Sequence, residues 1–465
     1  MPGAAQRPDA AFESWLEKQL SHSASAMLSS VSPLSIVKHR DGFGQTVQPV
    51  AGAIVASPVL GNYDPDPDYF FHWFRDSAVV IDALRLLYAE RRIGDEALQH
   101  LRDFTRFSLA LNELDGRAVA AVQDRGARVE PRLLQYLRED QDLVHVHGDA
   151  VVAETRVNPD GTLDILRWAR PQHDGPPLRA IALLRWVAGE HLDAALLAEV
   201  EPLIRFDLGF TLRHWREPSF DIWEEESGHH YYTLRISAAA LADGAAWLEG
   251  LGETAQAQRC REESHAVLRL LDGYWVDERE ATHGYYSSRV LPDGEPSPKA
   301  LDIAVILSAI HGLGTGSDIR AAHGPADPRM QATLARLDAL FDAAYPINHG
   351  RAAGRGAAMG RYAGDVYCSG GAYYFSTLGA AEFCFRAAAS ASGDARGRDW
   401  LARGDAYLAT VRAYTPDGGD LSEQFDQRSG AQTSAKQLAW SHAAFISCVS
   451  ARRIATAACR APHQR

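Results

Sequence analysis

Apolar residues recur at spacings of three and four along most of the chain, with polar residues between them. This period belongs to a helix with one buried face, and it predicts about twelve helices. Alternation of period two, typical of strands, occurs only near residues 44–59 and 145–157, which is too little for a major sheet. The predicted helices span about residues 9–30, 75–91, 95–113, 176–190, 192–215, 230–250, 253–275, 300–313, 327–344, 370–390, 396–414 and 434–457.

The segments between these helices alternate in character. Those leading into the second, fourth, sixth, eighth, tenth and twelfth helices are rich in charged and aromatic residues, whereas the other connections are short and chemically plain. Helix hairpins closed into a ring explain the alternation, because every segment leading into an inner helix then lies at one end of the ring. The polar segments are residues 69–76, 168–174, 221–228, 297–302, 361–365 and 422–426.

We therefore predict an all-α fold, an (α/α)6 barrel of six helical hairpins with minor short strands in its loops. A single catalytic domain is expected over residues 1–465, with residues 1–50 supplying an N-terminal helix and a lead-in segment that belong to the barrel. Two domains or an open solenoid are the alternatives. A solenoid would carry polar caps at its terminal repeats, whereas the last segment, with Trp440, Phe445 and Ile446, has the apolar character of a buried one.

The densest chemical cluster is Asp-Ile-Trp-Glu-Glu-Glu-Ser-Gly at residues 221–228. Acids ahead of a helix can simply complement the N–H groups of its first turn. That explanation does not account for the indole of Trp223 or for the aromatic pairs at residues 229–232. Crowded carboxylates beside flat rings suit a sugar pocket, because like charges close together keep one carboxyl protonated as a proton donor.

Residues 69–76 place six aromatic or histidine side chains before an Arg-Asp pair. A guanidinium donates hydrogen bonds in a fixed fork and a carboxylate accepts them, so Arg75 and Asp76 are suited to gripping neighbouring hydroxyls. An aromatic core stripe whose helix is capped by Asp76 is the alternative.

Two weaker segments could complete such a pocket. Trp168 is either a core anchor or a pocket wall, and its neighbours Arg170 and Asp174 favour the wall. Residues 422–426 supply a second carboxylate, Glu423, although Ser-Glu at the start of a helix is common in any protein.

Composition limits the possible partners. Hydrophobic and charged contents of 46% and 23% are those of an ordinary soluble protein, and the net charge of −13 argues against nucleic acid or an anionic membrane surface. No run approaches the roughly 18 apolar residues of a membrane span. Five scattered cysteines without metal-ligand spacing predict reduced thiols, and with no visible signal peptide they predict a cytoplasmic protein.

No metal or organic cofactor is expected. Asp64, Asp66 and Asp68 could suggest calcium, but the prolines between them favour a stiff loop instead. The sequence contains no HExxH, GxSxG or phosphate-binding glycine motif, which removes the common zinc-protease, serine-hydrolase and nucleotide-binding interpretations.

From about residue 50 to its end, the chain resembles the glucoamylase-type members of glycoside hydrolase family 15. Pro-Asp-Tyr-Phe-Phe-His-Trp-Phe-Arg-Asp-Ser from Pro67 is similar to the family's Pro-Asp-Tyr-Phe-Tyr-x-Trp-x-Arg-Asp-Ser. Arg-Pro-Gln-His-Asp-Gly-Pro-Pro-Leu-Arg-Ala from Arg170 is similar to its Arg-Pro-Gln-x-Asp-Gly-Pro-x-Leu-Arg-Ala. Residues 221–225, 360–362 and 422–426 are similar to its general-acid, substrate-arginine and general-base segments, and all five follow the family's order.

The resemblance implies the six-hairpin barrel and an exo-acting, inverting hydrolase that releases α-1,4-linked glucose from non-reducing ends. Glu224 would be the general acid and Glu423 the general base, their carboxyl groups about 6.5–9.5 Å apart to admit the attacking water. The resemblance further implies a set of substrate-binding residues, namely Tyr69, Trp73, Arg75, Asp76, Trp168, Arg170, Asp221, Trp223, Glu225, Arg361, Tyr362 and Tyr373.

Tyr373 stands where the secreted fungal enzymes lead us to expect a tryptophan, which leaves the second-sugar site open. No carbohydrate-binding module is expected, so short soluble glucans and maltooligosaccharides are predicted rather than granular starch. Within the class, an α-1,6-specific exo-glucosidase acting on isomaltose or dextran ends, or a trehalase-like enzyme, stays possible. Outside it, the alternatives are a non-catalytic glucan-sensing regulatory domain and a sugar epimerase, the latter supported only by His229-His230.

Overall fold

The computed structural model describes residues 10–62, 65–277, 284–291, 294, 297–314, 322–391 and 395–460. Within these ranges lie fifteen α-helices, of which twelve have eight or more residues. The helices are α1 Ala10–Leu28, α2 Phe74–Ala89, α3 Glu96–Leu111, α4 Gly116–Ala120, α5 Asp140–Leu143, α6 Asp149–Val152, α7 Gly175–Gly189, α8 Ala194–His214, α9 Tyr231–Gly250, α10 Thr254–Asp272, α11 Ala304–His311, α12 Pro328–Ala344, α13 Tyr374–Ser390, α14 Ala395–Tyr414 and α15 Ala439–Arg460.

Six of the long helices form a closed ring. Helices α2, α7, α9, α11, α13 and α15 each pack against the next, and α15 packs against α2. Helices α1, α3, α8, α10, α12 and α14 lie outside them. Inner helix α13 buries 14 of its 17 residues, whereas outer helix α10 buries 5 of 19, because an inner helix has neighbours on all sides and an outer one faces water on one side. The predicted (α/α)6 barrel is confirmed.

The strands are short and lie in the loops, as predicted. Three small sheets precede inner helices directly, with β3 leading into α2, β6 into α9 and β10 into α13. The strands are β1 Lys38–Arg40, β2 Gln45–Val47, β3 His72–Trp73, β4 Arg156–Val157, β5 Ser219–Phe220, β6 Ser227–His230, β7 Trp275–Val276, β8 Tyr285–Tyr286, β9 Arg289–Val290, β10 Ala372–Tyr373, β11 Gln424–Phe425 and β12 Gln432–Thr433.

Some predicted boundaries are wrong for identifiable reasons. Helix α11 begins at Ala304 and not at 300, because the Asp302 carboxylate accepts the N–H of Ala304 at 2.8 Å. Helix α15 begins at Ala439 and not at 434, because Ser434 and Gln437 adopt left-handed φ angles of 62° and 46°. Of the strand-like residues 145–157, only 156–157 are extended, and the buried valines at 151–152 lie in α6.

The N-terminal helix packs on the last one, so α1 extends the barrel's outer layer. Trp15 contacts Phe445 edge to face, with ring centroids 5.6 Å apart. In the lead-in segment, Arg40 donates to Asp68 at 2.7 Å, so one of the three acids considered for calcium is paired with an arginine. Another of them, Asp64, lies outside the described residues. No helix that the structure describes is long and apolar enough to span a bilayer.

Candidate active site

A cavity of about 230 Å³ opens at the end of the ring where the polar segments meet. Five of the six segments contribute to its wall, which explains why they alternate with plain connections along the chain. Ten of the fourteen predicted site residues lie on this wall: Tyr69, Trp73, Arg75, Asp76, Trp168, Trp223, Glu224, Glu225, Arg361 and Glu423.

Glu224 is fixed by donors that come from two other segments. Its Oε1 accepts from Trp73 Nε1 at 2.8 Å and from Arg75 Nη2 at 3.1 Å, and its Oε2 accepts from Trp168 Nε1. Its backbone adopts a left-handed φ of 65°, in a turn closed by its N–H on Asp221 O at 2.9 Å. Such a conformation is strained for any residue other than glycine and is typical of functional sites.

Around Arg75 one guanidinium faces three carboxylates, those of Asp76, Asp174 and Glu224. Burial raises the pKa of Asp76 to about 6, with the Glu224 and Asp174 charges adding to the rise against the attraction of Arg75. Burial likewise raises the pKa of Asp174. One positive charge does not fully compensate three buried negative ones, so Asp76 holds its proton up to about pH 6.

A second arginine fixes the loop that carries Glu224. Arg289 contacts Asp221 at 3.1 Å, Glu226 at 3.0 Å and Asp302 at 2.5 Å. Burial raises the pKa of Asp221, but the charge of Arg289, the nearby His230 and the backbone N–H groups of residues 225 and 226 together outweigh burial, and the pKa lies below its ordinary value. Asp221 and Glu226 are thus paired with a cation behind the wall and not with Glu224.

Glu423 lies in a different environment. Tyr69 Oη lies 3.3 Å from both carboxylate oxygens and Ser434 Oγ donates to Oε2, and no described cation lies within 4 Å. The backbone is held by its N–H on Ala435 O at 2.8 Å and by its C=O accepting from Tyr374 at 3.3 Å. Burial raises the pKa of Glu423 to about 7, against the hydrogen bond from Ser434 and the charge of Arg361.

Arg361 completes the wall between the two acids. Its Nε donates to Asp365 at 2.7 Å and its Nη2 to Glu225 at 3.0 Å. Lys299 lies in the polar segment 297–302, which supplies no wall residue, and it also contacts Glu225 at 2.7 Å. The guanidinium thus presents a fixed positive charge to the cavity without needing a ligand to order it.

Four predicted binding residues lie off this wall and contact residues on it or beside it. Arg170 donates to the C=O of Trp168 at 3.3 Å, and Tyr362 donates to Glu225. Tyr373 is buried, and its hydroxyl lies 3.3 Å from Asp365, the partner of Arg361. Asp221, the fourth, accepts the N–H groups of residues 225 and 226 at 2.8 and 3.1 Å.

Sequence reasoning missed two polar residues of the wall, Trp440 and Tyr367. Trp440 lies in an apolar run and was assigned to the core; its ring stacks on Phe375 at 4.3 Å. Tyr367 lies 2.9 Å from the Tyr69 hydroxyl and had no distinctive spacing. The remaining wall is apolar, formed by Ala56, Ile222, Phe375 and Leu438.

Three buried polar atoms on wall residues have no hydrogen-bond partner among the described residues. They are Arg75 Nε, Asp76 Oδ2 and Trp440 Nε1. Buried polar groups are rarely left without a partner, so each such atom at a cavity calls for an explanation. Two donors and one acceptor on wall residues are the kind of groups that bind hydroxyls.

Comparison with known proteins identifies the family of the chain. Residues 42–450 match the sequence profile of the glycosyl hydrolases family 15. The glucoamylase of Neurospora crassa is 27% identical over 444 residues, 86% of this chain and 63% of that protein. Glucoamylase P of Amorphotheca resinae is 30% identical over 438 residues, 85% of this chain and 64% of that protein.

A solved structure, that of the Hormoconis resinae glucoamylase, superposes with a TM-score of 0.74 at 27% identity and covers 94% of this chain and 73% of that one. The chain spans a little under two thirds of the length of the two curated relatives. Because the matching profile covers most of the sequence, the chain belongs to the glycosyl hydrolases family 15.

Proposed function

We propose that the protein is an exo-acting, inverting α-glucosidase that releases α-1,4-linked glucose from the non-reducing ends of soluble glucans. The observation that carries the proposal is that Glu224 and Glu423, from distant parts of the chain, line the same 230 Å³ cavity. Two carboxyl groups on opposite sides of a glycosidic bond are the requirement for this hydrolysis. The relatives named glucoamylases support the same reaction class.

The environments of the two acids support distinct roles. Glu224 lies on the cavity wall, where the N–H groups of Trp73, Arg75 and Trp168 orient its carboxyl group, and we assign to it proton donation to the departing oxygen. Glu423 is held by hydroxyl groups, and its pKa of about 7 suits a general base that takes a proton from water near that pH. In this scheme the water attacks the anomeric carbon from the face opposite Glu224.

The size of the cavity supports action on one terminal unit. Its 230 Å³ is below the roughly 300–1,000 Å³ of typical pockets for drug-sized ligands. The Arg75 and Asp76 atoms without partners would bind hydroxyls of that unit, and Trp440 Nε1 would donate to another.

A larger cavity adjoins the first across Trp168 and offers room for the rest of a substrate chain. It measures about 770 Å³ and includes the half-exposed rings of Trp168 and Tyr136. Aromatic faces of this kind can stack on sugar rings. We therefore infer that chains longer than a disaccharide are the better substrates.

The proposal is tested with maltose, isomaltose, trehalose and maltopentaose, following the first-formed anomer of glucose by NMR. We expect release of β-glucose from the α-1,4-linked substrates, with kcat/KM higher for maltopentaose than for maltose. First-formed α-glucose would contradict inversion, and a preference for isomaltose or trehalose would favour the α-1,6-specific or trehalase-like alternative.

The non-catalytic alternative is separated by Glu423→Gln. A hydrolase should lose glucose release while still binding a maltooligosaccharide, as measured by calorimetry, whereas a sensor has no release to lose. The epimerase alternative loses its only support, because His230 is bonded to Ser219 O at 3.0 Å and neither residue of the His229-His230 pair is on the cavity wall.

A further inference from the structure

Two imidazoles and one carboxylate meet outside the cavity, where the first and last long helices pack together. They belong to His22 on α1, Asp420 on the loop before Glu423, and His442 on α15. One possible ligand atom of each lies within 4.8 Å of the other two. The three residues have no recognisable spacing in the sequence, which explains why sequence analysis predicted no metal site.

The ring of His442 is oriented as in a metal ligand. Its Nδ1 lies 3.1 Å from Ser23 Oγ, which also accepts from Gln19 Nε2 at 3.2 Å, and all three side chains are buried. Metal-binding histidines use one ring nitrogen in this way, which fixes the tautomer and leaves the other nitrogen for the ion. The other nitrogen, Nε2, faces Asp420 Oδ1 at 3.4 Å.

That separation is what a tetrahedral zinc shell requires. Zinc bonds of about 2.0–2.2 Å to nitrogen and oxygen place two ligand atoms about 3.4 Å apart. His442 and Asp420 are already at this distance, so His22 alone has to approach. His22 is half-buried, and its ring has no hydrogen bond to any described residue, so this movement breaks no existing bond.

We propose that His22, Asp420 and His442 bind one divalent transition-metal ion of the zinc type, with water as the fourth ligand. Two imidazoles and a carboxylate are the nitrogen and oxygen ligands that zinc accepts, whereas calcium and magnesium prefer oxygen alone. The partly exposed His22 and Asp420 leave the ion a path from solvent.

Binding would fasten the loop that leads to Glu423. Asp420 is three residues before Glu423, and Gln19 on α1 already donates to Gly419 O at 2.7 Å across 400 residues of sequence. An ion at this position adds a second tie between the outer helix α1 and that loop. Metal binding itself does not depend on the proposed hydrolase activity.

The test uses the untagged, full-length protein stripped with EDTA and titrated with zinc chloride by calorimetry. We expect one equivalent bound and a melting temperature raised by a few degrees at saturating zinc, because a ligand specific to the folded state stabilises it. Cobalt in place of zinc should give the intense visible absorption of a tetrahedral site.

Two variants decide the ligands. His22→Ala should abolish the binding heat and the rise in melting temperature without changing the metal-free melting temperature, since its ring makes no hydrogen bond to lose. His100→Ala, a half-buried histidine on outer helix α3, should bind zinc as the unaltered protein does. Absence of binding by the unaltered protein, or its survival in His22→Ala, overturns the proposal.

Discussion

Two groups of similar composition flank the loop of Glu224. Each contains one arginine, three carboxylates and an indole that donates to a carboxylate at 2.8 Å. The first group, on the cavity, consists of Arg75, Asp76, Asp174, Glu224 and Trp73; the second consists of Arg289, Asp221, Glu226 and Asp302, which lie behind the wall, and Trp223, whose ring is part of it. Trp168 also donates to Glu224 in the first group, and Lys299 lies 3.5 Å from Glu226 in the second.

What separates the two groups is access. Arg75 and Asp76 lie on the cavity wall and keep atoms without partners, whereas Arg289 and Asp302 lie off that wall and have no such atoms among the described residues. The carboxylates of the first group can therefore act on a ligand, whereas those of the second hold the loop. Similar chemistry serves two purposes, and the difference lies in which carboxylates line the cavity.

The two groups should differ most in the effect of replacing Glu224 and Glu226. Glu224→Gln removes the proton donor, and we expect kcat on maltose to fall about 10²–10⁴-fold. Glu226→Gln, in the same loop but in the second group, should keep kcat within a few-fold, because its carboxylate serves only Arg289 and its neighbours. Equal losses in the two variants would show that the loop's conformation, not proton transfer, had been changed.

The scaffold role is tested at Arg289. Arg289→Leu leaves Asp221 and Asp302 without their cation and leaves Glu226 with Lys299 alone, 3.5 Å away, and we expect the free energy of unfolding to fall by about 3–5 kcal/mol, measured by urea denaturation. Arg132→Leu, at an exposed ion pair with Glu130, should cost no more than about 1 kcal/mol. An unchanged urea midpoint for Arg289→Leu would show that the second group does not stabilise the fold.

Glu423 belongs to neither group, and its pH dependence has a defined sign. Its pKa is about 7 in the folded protein against an ordinary 4.5, so the unfolded chain ionises first and stability falls as pH rises from about 4.5 to 7. Glu423→Gln removes this cost. We expect the variant to match the unaltered protein at pH 4 and to exceed its unfolding free energy by up to about 3 kcal/mol at pH 8.

The pKa of Glu423 also predicts how the proposed activity of the unaltered protein depends on pH. Because a general base must be ionised, kcat/KM should fall about tenfold for each pH unit below 7. A profile of kcat/KM that is flat between pH 5 and 7 would contradict the burial of an ionised base. So would a Glu423→Gln variant whose gain in unfolding free energy over the unaltered protein is no larger at pH 8 than at pH 4.

The smallest effects separate one aspartate of each group. Asp76→Asn weakens a charged acceptor at the cavity, worth about 1.5–3 kcal/mol, so kcat/KM should fall about 10–150-fold. Asp302→Asn should lower the melting temperature but leave kcat/KM within a few-fold, because Asp302 lies off the wall and reaches the cavity only through the indole N–H of Trp223, whose ring is part of the wall. The reverse pattern would exchange the roles of the two groups.

The ring of helices was predictable because apolar periodicity and the alternation of polar segments are both written in the local sequence. The starts of the helices were less predictable. Ser434 and Gln437 adopt left-handed φ angles ahead of α15, and neither is a glycine, the residue that would indicate such a conformation in the sequence. At the site, sequence placed residues near the cavity but not their direction. Tyr373 and Trp440 look alike as aromatic residues leading into inner helices, yet one is buried behind the wall and the other faces the cavity.

The left-handed backbone of Glu224 limits how the stability of this protein could be improved. A conformation of this kind costs of order 1–3 kcal/mol in any residue with a side chain, and glycine would relieve it. Glycine would also delete the carboxylate. A substitution at this position can remove the backbone strain or keep the carboxylate, but not both. Substitutions that raise the melting temperature therefore have to be made elsewhere in the ring.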